Sequence, residues 1–143
     1  MTVARILAEK GRDVLTTQPH RTVKEVAAQL ASRGVGAVIV SDAAQAVLGI
    51  VSERDIVRAI GTGPSSVLEE PVSHYMTAKV TTVDESASIN RVMELMTEGR
   101  FRHLPVVENG RLIGIVSIGD VVKRHVNTIE SEHRALRDYI ATA

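Results

Sequence analysis

The chain of 143 residues has no cysteine and no tryptophan, one phenylalanine and two tyrosines, and its 17 Lys and Arg balance its 17 Asp and Glu. Without cysteine there is no disulfide framework, no thiolate zinc site and no Cys nucleophile. The scarcity of aromatic rings argues against a stacking platform for single-stranded nucleic acid. A formal net charge of zero leaves no global field to draw the chain onto DNA, RNA or an acidic membrane. No apolar run approaches the ~20 residues that a membrane span needs, and Met1 to Lys10 is too short and too polar for a signal peptide. These absences lead to the expectation of a soluble, cytoplasmic protein.

What is present is a repeat. Gly49-Ile50-Val51-Ser52-Glu53-Arg54-Asp55-Ile56-Val57 returns as Gly114-Ile115-Val116-Ser117-Ile118-Gly119-Asp120-Val121-Val122, with six of the nine positions identical. In each copy an apolar strand runs into Ser-x-x-Asp and then into a helix. The surrounding pattern repeats too. Val3, Ile6 and Leu7 mark a short amphipathic helix, and Val14 to Thr17 a short strand. Thr22-Val23-Lys24-Glu25 has the form of a capping box. It opens a helix whose Val23, Val26, Ala27 and Leu30 make one buried stripe. Ala37 to Val40 and Ala46 to Val51 are then two strands around a turn, followed by a helix from Ser52. The second half answers with Pro71 to Met76, the strand Val80 to Val83, and a helix carrying Ile89, Val92, Met93 and Met96. After it come the strands His103 to Val107 and Leu112 to Val116, joined by the hairpin turn Glu108-Asn109-Gly110-Arg111, and a helix from Ser117.

The fold class that follows is α+β. Two β-α-β-β-α units pack about a pseudo-twofold axis, with a short N-terminal and a long C-terminal helix, because a half of about 60 residues buries little surface alone. The expected boundaries are residues 1–63 for the first unit with its N-terminal helix, 64–71 for a linker, 72–125 for the second unit and 126–143 for a helical extension. The last helix carries Ile118, Val121, Val122, His125, Val126, Ile129, Leu136 and Ile140 along one face. That face reads either as solvated or as packed on a partner subunit.

The chemistry of catalysis is thin. His20, His74, His125 and His133 show no metal-ligand spacing. There is no phosphate loop, dinucleotide glycine fingerprint, nucleophile elbow or zincin motif. Asp84-Glu85 is a carboxylate pair just before a helix, where acids suit the dipole. Neither an enzyme nor a metal site is expected.

The repeated Gly-Ile-Val-Ser-x-x-Asp corners, with Arg102-His103-Leu104-Pro105-Val106-Val107 and His74-Tyr75-Met76-Thr77, make the chain resemble the CBS domains, which occur as tandem pairs called Bateman modules. The resemblance covers about residues 5 to 125. It implies a module that binds adenosine-containing ligands, such as AMP, ADP, ATP, NAD(H) or S-adenosylmethionine, in clefts between the repeats. It also implies a homodimer that regulates an attached or separate protein, with no catalytic cofactor. Nothing in composition or spacing alone points to that ligand. The alternative is a constitutive dimerisation or interaction module with vestigial clefts.

Under the resemblance, phosphate would sit at the N-termini of the helices that follow Ser52 and Ser117, and Asp55 and Asp120 would accept from ribose hydroxyls. Gly49 and Gly114 would let the ligand approach the backbone. Adenine slots would come from Val14, Leu15 and Thr16, from Val80, Thr81 and Thr82, from Gly36, Ala37 and Val38, and from His103 to Pro105. The plain reading of each Ser-x-x-Asp is a helix cap, and the two roles can coexist. The copies differ: Arg54 stands opposite Gly119, Ala37 opposite His103, and Gly36 opposite Arg102, while Arg58 has Lys123 as its counterpart. The Ser52/Asp55 cleft would therefore borrow Arg102 and His103, and the other would face Ala37 and Arg54, which implies unequal affinities. The plain readings remain a half-buried strand-start His103, a solvated Arg102, and Arg54 and Arg58 paired with nearby acids.

Overall fold

Val3–Lys10 forms α1, Thr16–Thr17 β1, Val23–Arg33 α2, Ala37–Ser41 β2, Val47–Ser52 β3 and Glu53–Thr62 α3. The second half adds Ile89–Gly99 as α4, His103–Glu108 as β4, Arg111–Ser117 as β5 and Ile118–Thr142 as α5. These elements come from a computed structural model that describes residues 1–142; Ala143, the end of the expected extension, lies outside the described residues. The expected linker holds a 3₁₀ turn, Val67–Glu69, and a second 3₁₀ turn, Val72–His74, stands within Pro71 to Met76, the stretch expected in the place of the first short helix. Val67 is buried.

The caps explain the helix starts. Thr22 accepts from the Glu25 amide at 3.1 Å, and Ser88 accepts from the Arg91 amide at 3.1 Å. The helix ends differ. Gly34 closes α2 in the left-handed region at φ 63°, and Arg100 closes α4 in the same conformation at φ 56°. A residue with a Cβ is uncommon there and costs about 1 kcal/mol.

The first sheet has the order β1-β2-β3, with β1 parallel to β2 and β2 antiparallel to β3. The second has only β4 and β5, antiparallel. The expected strand Val80 to Val83 does not form; a single parallel bridge joins Val83 to Val106, where β1 pairs Thr17 with Val40. The reason lies in one residue. In the first repeat Ile39 N donates to Leu15 O at 3.1 Å. The residue in the place of Ile39 is Pro105, which has no N–H to give. Pairing therefore starts only at Val83, whose amide donates to Pro105 O at 3.1 Å.

The two halves exchange their leading segments. Val3, Ile6 and Leu7 of α1 lie in one core with Val83, Ile89, Val92, Met96, Leu104, Val106, Val116 and Val121 of the second repeat. Val72, with Tyr75 and Met76 packed against it, belongs to the core of Val23, Val26, Leu30, Val38, Val40, Val51 and Ile56 of the first. The backbone repeats the exchange: Val3 N donates to Ala87 O at 2.9 Å and Ile89 N to Met1 O at 3.2 Å, while Val72 N donates to Arg21 O at 2.7 Å and Val23 N to Glu70 O at 3.0 Å. So α1, first-repeat by sequence, is second-repeat by packing.

The glycines of the repeated motif serve this exchange. A Cβ on Gly114 would come within 2.8 Å of the Leu7 Cδ atoms, and one on Gly49 within 2.5 Å of Met76 Sδ. The expectation that they open the backbone to ligand is corrected: the space is filled by the neighbouring repeat's side chain. Leu7→Ala should destabilise the fold by about 2–5 kcal/mol, and Gly114→Ala by about 1–3 kcal/mol. In chemical denaturation the double variant should lose less than the sum of the two, because each change relieves or empties the same contact.

Candidate functional site

Both repeated corners are helix caps. Ser52 Oγ accepts from the Asp55 amide at 3.3 Å, and Asp55 Oδ2 accepts from Ser52 N at 2.9 Å and from Ser52 Oγ at 3.1 Å. At the second corner Asp120 N donates to Ser117 Oγ at 3.2 Å and Ser117 N donates to Asp120 Oδ2 at 2.9 Å. The sequence therefore builds the same reciprocal box twice.

The corners part company at the carboxylates. Asp120 Oδ2 also receives the Lys10 ammonium at 2.6 Å, and Lys10 Nζ donates to Ile115 O at 3.0 Å. Burial pushes the Asp120 carboxyl upward, but Lys10 and the Ser117 amide outweigh it and hold it below the usual carboxylate range. At Asp55 the nearest cation is Arg58 Nη1, 4.0 Å from Oδ1 and well exposed. Among the described residues Asp55 Oδ1 accepts no hydrogen bond from the protein.

A cleft of about 860 Å³ opens between the repeats. Ser52, Arg54, Asp55 and Arg58 line it from the first repeat, together with Gly36. Val80, Thr81, Arg102, His103 and Ser117 line it from the second. Asp120 is not among its walls. Nor are Val14, Leu15, Thr16, Ala37, Val38, Thr82 and Pro105. Leu15 packs against the first core, and Ala37, Val38 and Pro105 are buried in strands. Thr16 faces a separate cavity of about 500 Å³ beside Arg21, Glu25 and Asp42. The structure thus gathers Arg102 and His103 with Ser52 and Asp55, and of the residues expected around the second corner it brings Ser117 and Arg54 into the same cleft while Asp120 and Ala37 stay outside it.

Sequence reasoning missed several walls. Lys79, Arg100 and Phe101 line the cleft, as do Glu53 and Thr77. Arg100 could have been found from its alignment with the C-capping Gly34. Phe101, the single Phe of the chain, lies over Gly99, where a Cβ would collide with its ring. Arg54, Arg58, Lys79, Arg100 and Arg102 face Glu53 and Asp55 across one opening. In a chain of zero net charge that is a local cationic excess, and the N-termini of α3 and α5 add their free amides and partial positive charge to it.

His103 is half-buried against Gly36, where an added Cβ would lie 3.4 Å from His103 Cε1. Burial lowers its pKa from 6.5, and Lys10 and Arg102 lower it further against the opposing pull of Asp120 and Glu53. Asp84 and Glu85 have structural partners: Asp84 Oδ1 accepts the Ser86 amide at 2.8 Å, and Glu85 pairs with Arg12. Among the described residues no three His, Cys, Asp or Glu come together to hold a metal, and no helix is long and apolar enough to cross a membrane.

Duplicated frames, exchanged leading segments and a cleft between paired Ser-x-x-Asp corners define a tandem two-repeat module. The sequence pattern of the CBS domain matches residues 4–62 and 72–127, and the chain belongs to the CBS-domain family. It is similar to the CBS-domain containing protein ATU1752 of Agrobacterium tumefaciens, at 46% identity and a TM-score of 0.84 over 87% of this chain and 99% of that one. The CBS domain protein PAE2072 of Pyrobaculum aerophilum, solved in complex with AMP, is 29% identical with a TM-score of 0.75 over 84% of this chain and 89% of that one. The mitochondrial CBS domain-containing protein CBSX3 of Arabidopsis thaliana is 34% identical over 147 aligned positions, 97% of this chain and 71% of that protein.

Two pH effects follow. A neutral His103 is favoured in the fold, so its contribution is present above pH 6.5 and is lost as the pH falls below that value; His103→Gln should flatten the decline in melting temperature on the acid side of pH 6.5. Asp120 is favoured as the anion, so its contribution is present above pH 3.8 and fades below it. The stability gap between the native chain and Lys10→Met should therefore close as the pH drops through the carboxylate range.

Proposed function

We propose that the protein is a non-enzymatic sensor that binds an adenosine-containing phosphate ligand, AMP, ADP, ATP or NAD(H), in the cleft lined by Asp55 and Arg102. The observation that carries this reading is the pairing of a carboxylate with a free Oδ1, suited to ribose hydroxyls, with five cationic side chains in one opening between two helix N-termini. The AMP complex of the similar PAE2072 protein supports the ligand class. Asp55 would take the ribose, Arg54, Arg58, Lys79, Arg100 and Arg102 the phosphates, and the Val80–Thr81 and Phe101 walls the base.

The Ser117/Asp120 corner takes no ligand while Lys10 occupies its carboxylate. Binding then shifts an equilibrium between arrangements of the two repeats by its differential affinity for them, and the signal passes to a separate partner protein from a cytoplasmic homodimer. A second reading, a constitutive interaction module with a vestigial cleft, draws on the exposed apolar residues of α3 and α5, among them Val57, Ile60, Ile118 and Val122.

Thermal shift and calorimetry with AMP, ADP, ATP and NADH separate the two. One site per chain and a rising melting temperature are expected. No stabilisation at millimolar nucleotide would sink the sensor reading. Asp55→Asn and Arg102→Ala should each weaken binding about tenfold or more, while Asp120→Asn should leave it nearly unchanged. Arg100→Gly should raise stability by about 1 kcal/mol and weaken binding, since it relieves the left-handed backbone and removes a cation.

A further inference from the structure

Helix α5 outlasts the domain in which it starts. Its last buried side chains are Val121 and Arg124, and from His125 through Thr142 the residues are exposed. Most helical stability in proteins comes from packing an amphipathic face, and this stretch is exposed along its length. Its large apolar residues are not scattered. Val122, Val126, Ile129, Leu136 and Ile140, between 44% and 66% exposed, fall with His133 on steps of four, three, four, three and four. At about 100° per residue they share roughly 80° of arc, turned away from the side that carries Val121 and Arg124. This is a heptad seam of about three repeats, with Val126, His133 and Ile140 at a and Val122, Ile129 and Leu136 at d.

The flanking charges choose an occupant and a direction. Positions e hold Lys123, Glu130 and Arg137; positions g hold His125, Glu132 and Tyr139. In a parallel, in-register pair each g side chain meets the e side chain five residues on. Glu132 then meets the partner's Arg137, and His125 the partner's Glu130. In an antiparallel pair centred on the seam, Glu130 meets the partner's Glu130, Glu132 the partner's Glu132, and Lys123 the partner's Arg137. All three contacts are repulsive. Val126 and Ile140 are β-branched at a, Val122, Ile129 and Leu136 fill d, and the polar His133 at one a position is the residue that fixes register and oligomer state.

We infer that residues 122–140 of α5 form a parallel, in-register two-stranded coiled coil with the same helix of a second copy of this chain. The inference rests on the homodimer of the proposed function and adds its geometry, which is independent of the nucleotide cleft.

The absence of native cysteine makes the test direct. With oxidised glutathione, the lone thiols of Leu136→Cys on two chains lose two protons and two electrons as glutathione is reduced, and a covalent dimer is expected. Ala135→Cys, on the outer side of the helix, should give almost none. In sedimentation, Glu132→Arg should weaken the dimer about tenfold, and adding Arg137→Glu to the same chain should restore it. A dimer in sedimentation that Leu136→Cys fails to cross-link overturns the coiled coil and leaves the homodimer standing. A chain that sediments as a monomer at every concentration overturns both.

Discussion

The reciprocal seating of Leu7 over Gly114 and Met76 over Gly49 is the contact on which the rest of the structure depends. Neither repeat completes its own apolar core. Each lends the other the segment that precedes it, and the motif glycine is the space into which that segment fits. Because the exchange is mutual, neither half can leave without emptying a core in both. The cleft inherits its walls from this arrangement. The Thr77 amide and carbonyl are bonded to Ile50 at 2.9 and 3.0 Å, so the stretch from Thr77 to Thr81 is carried beside the Asp55 corner.

The same exchange makes the corners unequal. The segment lent to the second repeat is a full helix that ends at Lys10, and its ammonium reaches Asp120. The segment lent to the first is a 3₁₀ turn, and among the described residues no side chain of it forms an ion pair with Asp55. Two nearly identical motifs thus differ in electrostatics because of residues that lie outside them. The helix C-cap adds to the difference, since Arg100 stands in a left-handed position that Gly34 occupies without cost in the other copy.

Much of this was legible in the sequence. The repeat declared two frames, the Thr22 and Ser52 caps declared helix starts, and apolar stripes such as Val23, Val26 and Leu30 declared buried faces. Periodicity says that a face is buried but not against which core, so the placement of α1 on the second repeat could not be read. The missing strand at Val80 to Val83 hinged on Pro105, whose lost N–H matters only once Ile39 is seen donating to Leu15. Asp55 and Asp120 looked alike because Lys10 lies more than a hundred residues from its partner. The cleft residues from the Ser52 side were legible for the converse reason: they sit on or beside the repeated motif itself.

The Lys10–Asp120 contact has a consequence for the shape of any response. A carboxylate satisfied by the chain's own cation is filled at a local concentration that no metabolite pool alters, so under the proposed function only the Asp55 corner answers to solution. A single open corner titrates hyperbolically, spreading from one-tenth to nine-tenths occupancy over about two decades of ligand. Under that reading no second corner of the same chain couples with the first. Steepness beyond that limit is a property of contacts between chains, because cooperativity needs at least two sites that share an equilibrium.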